Sequence, residues 1–419
     1  MNQNSNIKWD IRARMVRLVM KLAVKYYLRF GDEHPSSLPA PKQGKKYFLY
    51  IHIPFCTSLC PFCSFHRFKL HEETARKYFE LLRKEMRMAA ELGYDFDSAY
   101  FGGGTTTILP DELEKTIQLA KELFSIREIS CEADPDHVNL QSITKAKGID
   151  RLSIGVQTFN NKHLEHIGRL KKFGRGEEQY EKIKEALEHF DLVNIDMIYN
   201  FPGQTMEELL EDVAKVRSLN PPQITFYPLM YAPFTGKSLQ ASIGKPSHES
   251  EAEFYTALTQ QMTEPYTQRT SWTFEKEAQG MIDEYVINND EYVGIGSGAF
   301  SFLDGVLYAN SFSLKEYAEK VGSGQSSISK STRFGSMSIK KYRMMIEMFG
   351  FNGWPKNRPF IEYNALKLLG AVKGKGENAE VTPRGKFLLS VMMKCFYNGM
   401  DYIREEMRKD LKTDDERII

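Results

Sequence analysis

No part of the chain is apolar for long enough to cross a bilayer as a helix, because a run of about 18 uninterrupted apolar residues does not occur. A short apolar segment followed by a small-residue cleavage site is also missing from the beginning, so a secretory leader finds no support and a cytoplasmic protein is expected. An excess of one charge is missing too. Fifty-six basic residues face 55 acidic ones, a net charge of +1, and no whole-protein field draws a nucleic acid. Cysteines are few and odd in number, five among 419 residues, which excludes a disulfide framework of the secreted kind. Three of the five lie within eight residues of one another, and that clustering points to metal.

What is present is the balance of a soluble globular protein, 42% hydrophobic and 26% charged, with length for a large core and smaller modules. Residues 8–30 carry Met15, Val19, Leu22, Tyr26 and Phe30 at helical spacing, with Arg12, Arg14, Arg17, Lys21, Lys25 and Arg29 between them. This helix is expected to pack on the core; the less favoured alternative is a basic amphipathic segment on a membrane surface. Residues 31–46, rich in Pro, Gly, Ser and Lys, read as a linker.

A rhythm of short β-rich runs then begins: Tyr47–Ile53, Ser98–Phe101, Glu128–Cys131, Arg151–Val156, Leu192–Ile198 and Gln223–Leu229. Helical patterns fill the gaps over about 71–92, 110–124, 138–147, 177–190 and 206–218. Six strands alternating with helices predict a parallel sheet, open or barrel-like, whose ligands gather at the carboxyl ends of the strands. The unusual residues fall there: Pro54-Phe55-Cys56, Gly102-Gly103-Gly104-Thr105, Glu132-Ala133-Asp134-Pro135, Gln157, Asp196 with Pro202-Gly203-Gln204-Thr205 behind it, and Tyr227-Pro228.

Cys56, Cys60 and Cys63 have the spacing C-x3-C-x2-C, and soft thiolates so placed can supply three ligands to an iron–sulfur cluster, leaving the fourth iron open. Three buried core cysteines fit poorly, because Thr57, Ser58 and Pro61 belong to a loop. A structural zinc site remains open and needs a fourth ligand such as His66 or His52. Cys131 and Cys395 lack this spacing and read as structural.

The stretch Tyr50-Ile51-His52-Ile53-Pro54-Phe55-Cys56 through Cys60-Pro61-Phe62-Cys63 resembles the radical S-adenosylmethionine (SAM) enzymes. Arg151-Leu152-Ser153-Ile154-Gly155-Val156-Gln157, Gly168-Arg169, Asn194-Ile195-Asp196-Met197-Ile198 and Gly294-Ile295-Gly296-Ser297-Gly298-Ala299, with the Gly102–Thr105 run, resemble the oxygen-independent coproporphyrinogen III oxidase (HemN-like) branch. The resemblance spans roughly 47–320. It implies an α/β fold, a partial (β/α)6 TIM-type barrel over 47–235, behind the helix and linker of 1–46. An extension over 236–329 would complete the site, and a C-terminal helical, winged-helix-like cap would occupy 330–419.

The resemblance further implies a 4Fe-4S cluster on the three cysteines and SAM on the open iron. Tyr50 would touch this SAM, Gly103 and Gly104 would admit its methionine part, Glu132 would help hold it, and the Phe300 backbone would lie by its adenine. In the oxidases a second SAM sits near positions matching Phe62, Gly104, Thr105, Gln157, Arg169 and Asp196. A tetrapyrrole substrate and an electron donor such as flavodoxin or ferredoxin follow from the same likeness.

The chain also departs from the pattern. Ser64-Phe65-His66-Arg67 follow Cys63 where the oxidases have a further cysteine, and Ser271-Trp272-Thr273-Phe274 replaces what the haem-chaperone relatives lead one to expect. His66, three residues past the last cysteine, is a candidate catalytic proton carrier or haem ligand, with a hydrogen-bonded loop histidine as the plainer reading. Three functions therefore stand side by side: a porphyrin-modifying oxidase, a HemN-like methyltransferase and a haem-binding chaperone. Beyond residue 320, helices are expected over Ser338–Phe349, Ile361–Leu369 and from Lys386, after a turn at 380–385. The sign-alternating residues 404–417 are expected to fray.

Overall fold

The computed structural model describes residues 7–30, 37–138, 148–230, 244–277, 280–351, 358–374, 379–409 and 411. Helix α1 (Ile11–Tyr27) precedes six parallel strands: β1 (Tyr47–Ile53), β2 (Phe96–Gly103), β3 (Glu128–Ala133), β4 (Arg151–Gln157), β5 (Leu192–Tyr199) and β6 (Gln223–Pro228). They pair in chain order. Alternate residues of a strand share a face: Leu49, Ile51, Leu152, Ile154, Val193 and Ile195 are fully buried on one, and the polar Ser153 and Asn194 between them are buried on the other. Between strands lie α2 (Glu72–Glu91), α3 (Pro110–Leu123), α4 (Gly176–Leu187) and α5 (Met206–Leu219). Pro110 opens α3, and a reciprocal box of Thr205 and Glu208 opens α5. From residue 139 on, the helix expected over 138–147 lies outside the described residues.

Strands β1 and β6 do not pair, so the six units form an incomplete barrel, and further strands extend the sheet at both edges. After α6 (His248–Gln261), β7 (Thr273–Glu275) runs antiparallel to β6. On the other edge β8 (Tyr292–Ile295) lies parallel to β1. An antiparallel meander of β9 (Phe300–Leu303), β10 (Val306–Asn310) and β11 (Ile328–Arg333) follows, with α7 (Leu314–Gly322) before the last strand. The boundary expected between 329 and 330 thus falls inside β11.

The C-terminal part is helical: α8 (Ser336–Phe349), α9 (Phe360–Leu368), a two-stranded hairpin of Val372–Lys373 and Glu380–Val381, and α10 (Pro383–Arg408). The turn expected over 380–385 is shorter than that. Thr382 Oγ1 accepts from Gly385 N at 2.9 Å and Pro383 sits in the first turn, so the helix starts three residues before Lys386. Trp272, fully buried, donates its indole N–H to Ser390 Oγ at 2.7 Å and ties α10 to the edge of the sheet. Of the terminus expected to fray, α10 takes residues up to Arg408, while 410 and 412–419 lie outside the described residues.

Helix α1 corrects an expectation. It packs on α10 through Ala13, Val16 and Val24, where Gly399 leaves room: a Cβ there would lie 2.1 Å from Val24. The stripe expected to be buried, Met15, Val19, Leu22 and Tyr26, is instead exposed. Both faces of α1 are apolar, and helical periodicity alone does not say which of two such faces meets the core.

Candidate functional site

The carboxyl ends of β1 to β6 open into one cavity of about 750 Å³. Its wall holds Cys56, Cys60 and Cys63 together with Tyr50, Phe62, Gly103, Gly104, Thr105, Glu132, Gln157, Arg169, Asp196 and Phe300. These residues are scattered over about 250 positions of sequence and meet because parallel strands all end on the same side.

The cysteine loop leaves β1 at Pro54 and returns through the pairing of Phe55–Cys56 with Phe68–Lys69. Burial pushes the Cys56 thiol up to about 11, and its sulfur lies 3.8 Å from Thr105 Oγ1, whose own hydrogen goes to Asp134. Arg67 folds under the loop and donates to the carbonyls of Cys60 and Cys63. Its Nε and Nη1 are buried without a protein partner. From α10, Arg408 donates to the Ser64 carbonyl at 2.8 Å. Three soft donors with a guanidinium beneath them suit an anionic sulfide cluster, and buried N–H groups lacking an acceptor fit its sulfurs. Among the described residues no three of His, Cys, Asp and Glu converge at the spacing of a single ion; a four-iron cluster spreads its thiolates over a cube.

Histidines do not complete a zinc site here. His52 uses both ring nitrogens, Nδ1 with Tyr50 Oη at 2.9 Å and Nε2 with the His66 carbonyl at 2.8 Å. His66 is 2% exposed, bonds Ser297 Oγ at 3.3 Å and packs on Phe312 and Phe68. Burial holds its imidazole well below the usual histidine range. It stands outside the cavity wall, against Gly298, where a Cβ would lie 2.2 Å from the ring. The ring lies behind the loop, a placement that agrees with the plainer reading of His66 as a hydrogen-bonded loop histidine.

Gly103 and Gly104 have a reason of their own. A Cβ on Gly104 would lie 2.4 Å from the Phe55 carbonyl oxygen, and one on Gly103, at φ +118, would enter the His52 ring. The glycines let the cysteine loop lie against the end of β2. Gln157 sits at φ 77 beside a register shift between β4 and β5, a bulge that turns its side chain back over Gly155. Thr105 Oγ1 donates to Asp134 Oδ2 at 3.0 Å, and Arg169 lies 4.2 Å from the Phe173 ring with its Nε unpartnered.

Beneath the site runs a buried polar network. Glu132 Oε2 accepts from Gly103 N at 3.0 Å, and Tyr100 Oη lies 3.0 Å from Glu132 and 2.8 Å from Asp283. One phenol hydrogen serves one acceptor, so a proton on Glu132, which burial pushes up to about 7, completes the pair of contacts. Asp283 accepts from Arg151 at 2.9 Å and from Asn194 at 2.8 Å. Asp196 accepts from Asn194 at 2.8 Å and from Ser153 at 3.1 Å. Burial and the adjacent charge of Asp283 raise Asp196, while Arg151 outweighs the burial of Asp283 and holds that carboxyl down. Sequence reasoning missed Asp283, Tyr100, Ser153, Arg67 and Arg408 as members of the site. Arg151 and Ser153 carried a signal, since both lie in a quoted motif; Asp283 and Arg408 carried none.

The sequence model of the radical SAM superfamily matches residues 50–216. The haem chaperone HemW of Bacillus subtilis (strain 168) is 30% identical over 288 residues, covering 65% of this chain and 75% of that protein. The chain belongs to the radical SAM superfamily. Within it, the oxygen-independent coproporphyrinogen III oxidase of Escherichia coli (strain K12) is 25% identical over 431 residues, covering 92% of each. The solved coproporphyrinogen III oxidase (HemN) from Escherichia coli superposes with a TM-score of 0.71 at 22% identity, over 94% of this chain and 99% of that one, so the two share a fold. Family membership implies an iron–sulfur cluster and SAM. Among the described residues no helix is long and apolar enough to cross a membrane.

Proposed function

We propose that the chain is an enzyme that reductively cleaves SAM and acts on a tetrapyrrole, in the manner of a coproporphyrinogen III oxidase. Cys56, Cys60 and Cys63 hold the cluster. Held there, a reduced cluster would supply the one electron needed for reductive cleavage of SAM to methionine and the 5′-deoxyadenosyl radical that abstracts hydrogen from substrate. The observation that carries this reading is the convergence of the three cysteines with Glu132, Gln157, Arg169 and Asp196 on one cavity.

In this proposal each side chain acts through ordinary chemistry. Glu132, once ionised, accepts from the ammonium of SAM, and Asp196 from hydroxyls. Arg169, with a buried N–H unsatisfied, pairs with a carboxylate. Tyr50 and Phe62 exclude water from the cluster side. The tetrapyrrole reading is supported by Ile198, Tyr227, Tyr285, Tyr397 and Met400, which line the same cavity with apolar and aromatic surface suited to a large flat ligand.

A second reading, a haem-binding chaperone, is favoured by the likeness to HemW. One experiment separates the two. The cluster is reconstituted without oxygen, and SAM, a reductant and coproporphyrinogen III are added. Substrate-dependent 5′-deoxyadenosine with loss of two carboxyl groups is expected. Stoichiometric haem binding without substrate-dependent 5′-deoxyadenosine would replace the enzyme reading by the chaperone; added carbon with S-adenosylhomocysteine would replace oxidation by methyl transfer.

A further inference from the structure

Most of the large hydrophobic side chains exposed among the described residues sit on α1, α8 and α9. On α1, Ile11, Leu18 and Leu22 are 60% to 67% exposed, and on α9 Phe360 and Leu368 are at least 80% exposed. The two helices are neighbours: Arg12 Nη1 donates to the Leu369 carbonyl at 3.3 Å. The cavity described above also reaches them, since Val19 and Tyr27 of α1 and Ala365 and Leu366 of α9 line its wall.

The pattern on α1 is two-faced. Val16 and Val24 turn to α10, and Ile11, Leu18 and Leu22, spaced seven and four apart, form a separate stripe facing out. Arg14, Lys21 and Lys25 repeat the same spacing along one border of that stripe, where Arg14 lies 3.6 Å from Glu249 of α6 and Lys21 and Lys25 carry the charge left over. Residues 8–29 hold seven basic side chains and one acid, Asp10, which is occupied in capping the helix and pairing with Arg384. For a chain with a net charge of +1, this is a local concentration of positive charge around exposed apolar surface.

We propose that the face made by α1 and α9 rests on an anionic lipid bilayer, with the stripe in the acyl boundary and the basic border among the headgroups. An apolar arc edged by Lys and Arg, with no acid on the helix itself, has the chemistry of an interfacial helix. A second copy of this chain fits less well, because a two-fold contact would set the same basic border against itself. On the bilayer, the cavity opens toward an apolar phase, a route for an apolar ligand. The proposal does not depend on which reaction the cavity performs.

The test is co-sedimentation of the full-length, cluster-loaded protein with vesicles. Vesicles of phosphatidylglycerol and phosphatidylethanolamine are expected to bind it, and vesicles of phosphatidylcholine alone to bind it weakly. Leu18→Glu with Leu22→Glu, at exposed positions, is expected to lower partitioning at least about tenfold. Lys21→Glu with Lys25→Glu is expected to lower it at least about twentyfold and to remove most of its salt dependence. Unchanged thermal melting of both variants guards against misfolding. Failure of the parent to bind either vesicle, or equal binding by all forms, overturns the proposal. A dimer by light scattering that the Leu18→Glu, Leu22→Glu form dissolves, with no vesicle binding, overturns it in favour of self-association.

Discussion

Asp283 accepts a hydrogen bond from Arg151 at 2.9 Å, with the arginine side chain wholly out of contact with water. The pair closes the floor of the cavity, joining the start of β4 to a turn 132 residues further on. Asp283→Asn leaves a buried guanidinium without its counter-charge, which costs about 3 kcal/mol or more. Chemical denaturation should show that loss. Replacing both partners by Met and Leu should cost less than the two single changes together, and an additive result would mean that the pair is not coupled.

The cysteines divide into two groups. Substituting Cys56, Cys60 or Cys63 by Ala should abolish iron and sulfide incorporation and the broad visible absorption of a reconstituted cluster. Cys131→Ala and Cys395→Ala should retain both, because these thiols are buried elsewhere in the fold, away from the loop. Iron analysis of all five variants decides it.

Glu132 makes a pH prediction. Burial pushes its carboxyl up to about 7, though the Gly103 N–H opposes the shift. In the proposed site the ionised form accepts from the SAM ammonium, and affinity for SAM should then rise as pH increases through that value, by roughly tenfold between about pH 6 and about pH 8. In Glu132→Gln the rise should vanish and affinity should stay low. Equilibrium binding at several pH values reads both outcomes, and an unchanged pH profile would take Glu132 off SAM.

Glu208 makes the opposite prediction for stability. Burial would raise its carboxyl, but bonds from Lys162, the Thr205 N–H and His163 hold it down at about 2. A depressed carboxyl stabilises the fold fully above its unfolded value near 4.3, and that contribution fades as pH falls toward 2. Glu208→Gln should therefore cost about 1 kcal/mol at neutral pH and almost nothing near pH 2. Denaturation at the two pH values checks the sign.

Much of the central architecture was legible before the tertiary structure. Each parallel strand is a short buried run, and several of the following helices carry a start signal, as α3 does in Pro110 and α5 in Thr205, so local pattern suffices. The outer strands β8 to β11 were not legible. They are short and split by glycines, with β8 joining β1 in parallel and the rest following as an antiparallel meander, and no run of one period announces them. The same holds for α1, whose buried and exposed faces are both apolar.

The sequence by itself determined the cysteine spacing, the order of the parallel units and the placing of the ligand-type residues at strand ends. Those are properties of local periodicity and of the rule that parallel strands finish together. Only the tertiary structure decided that His66 lies behind its loop rather than in the cavity, and that Gly104 answers to the Phe55 backbone. It also decided that Arg151 and Asp283 meet under the site. Each of these depends on which distant segment packs alongside. Burial of a charge or a ring is set by neighbours that local spacing does not specify.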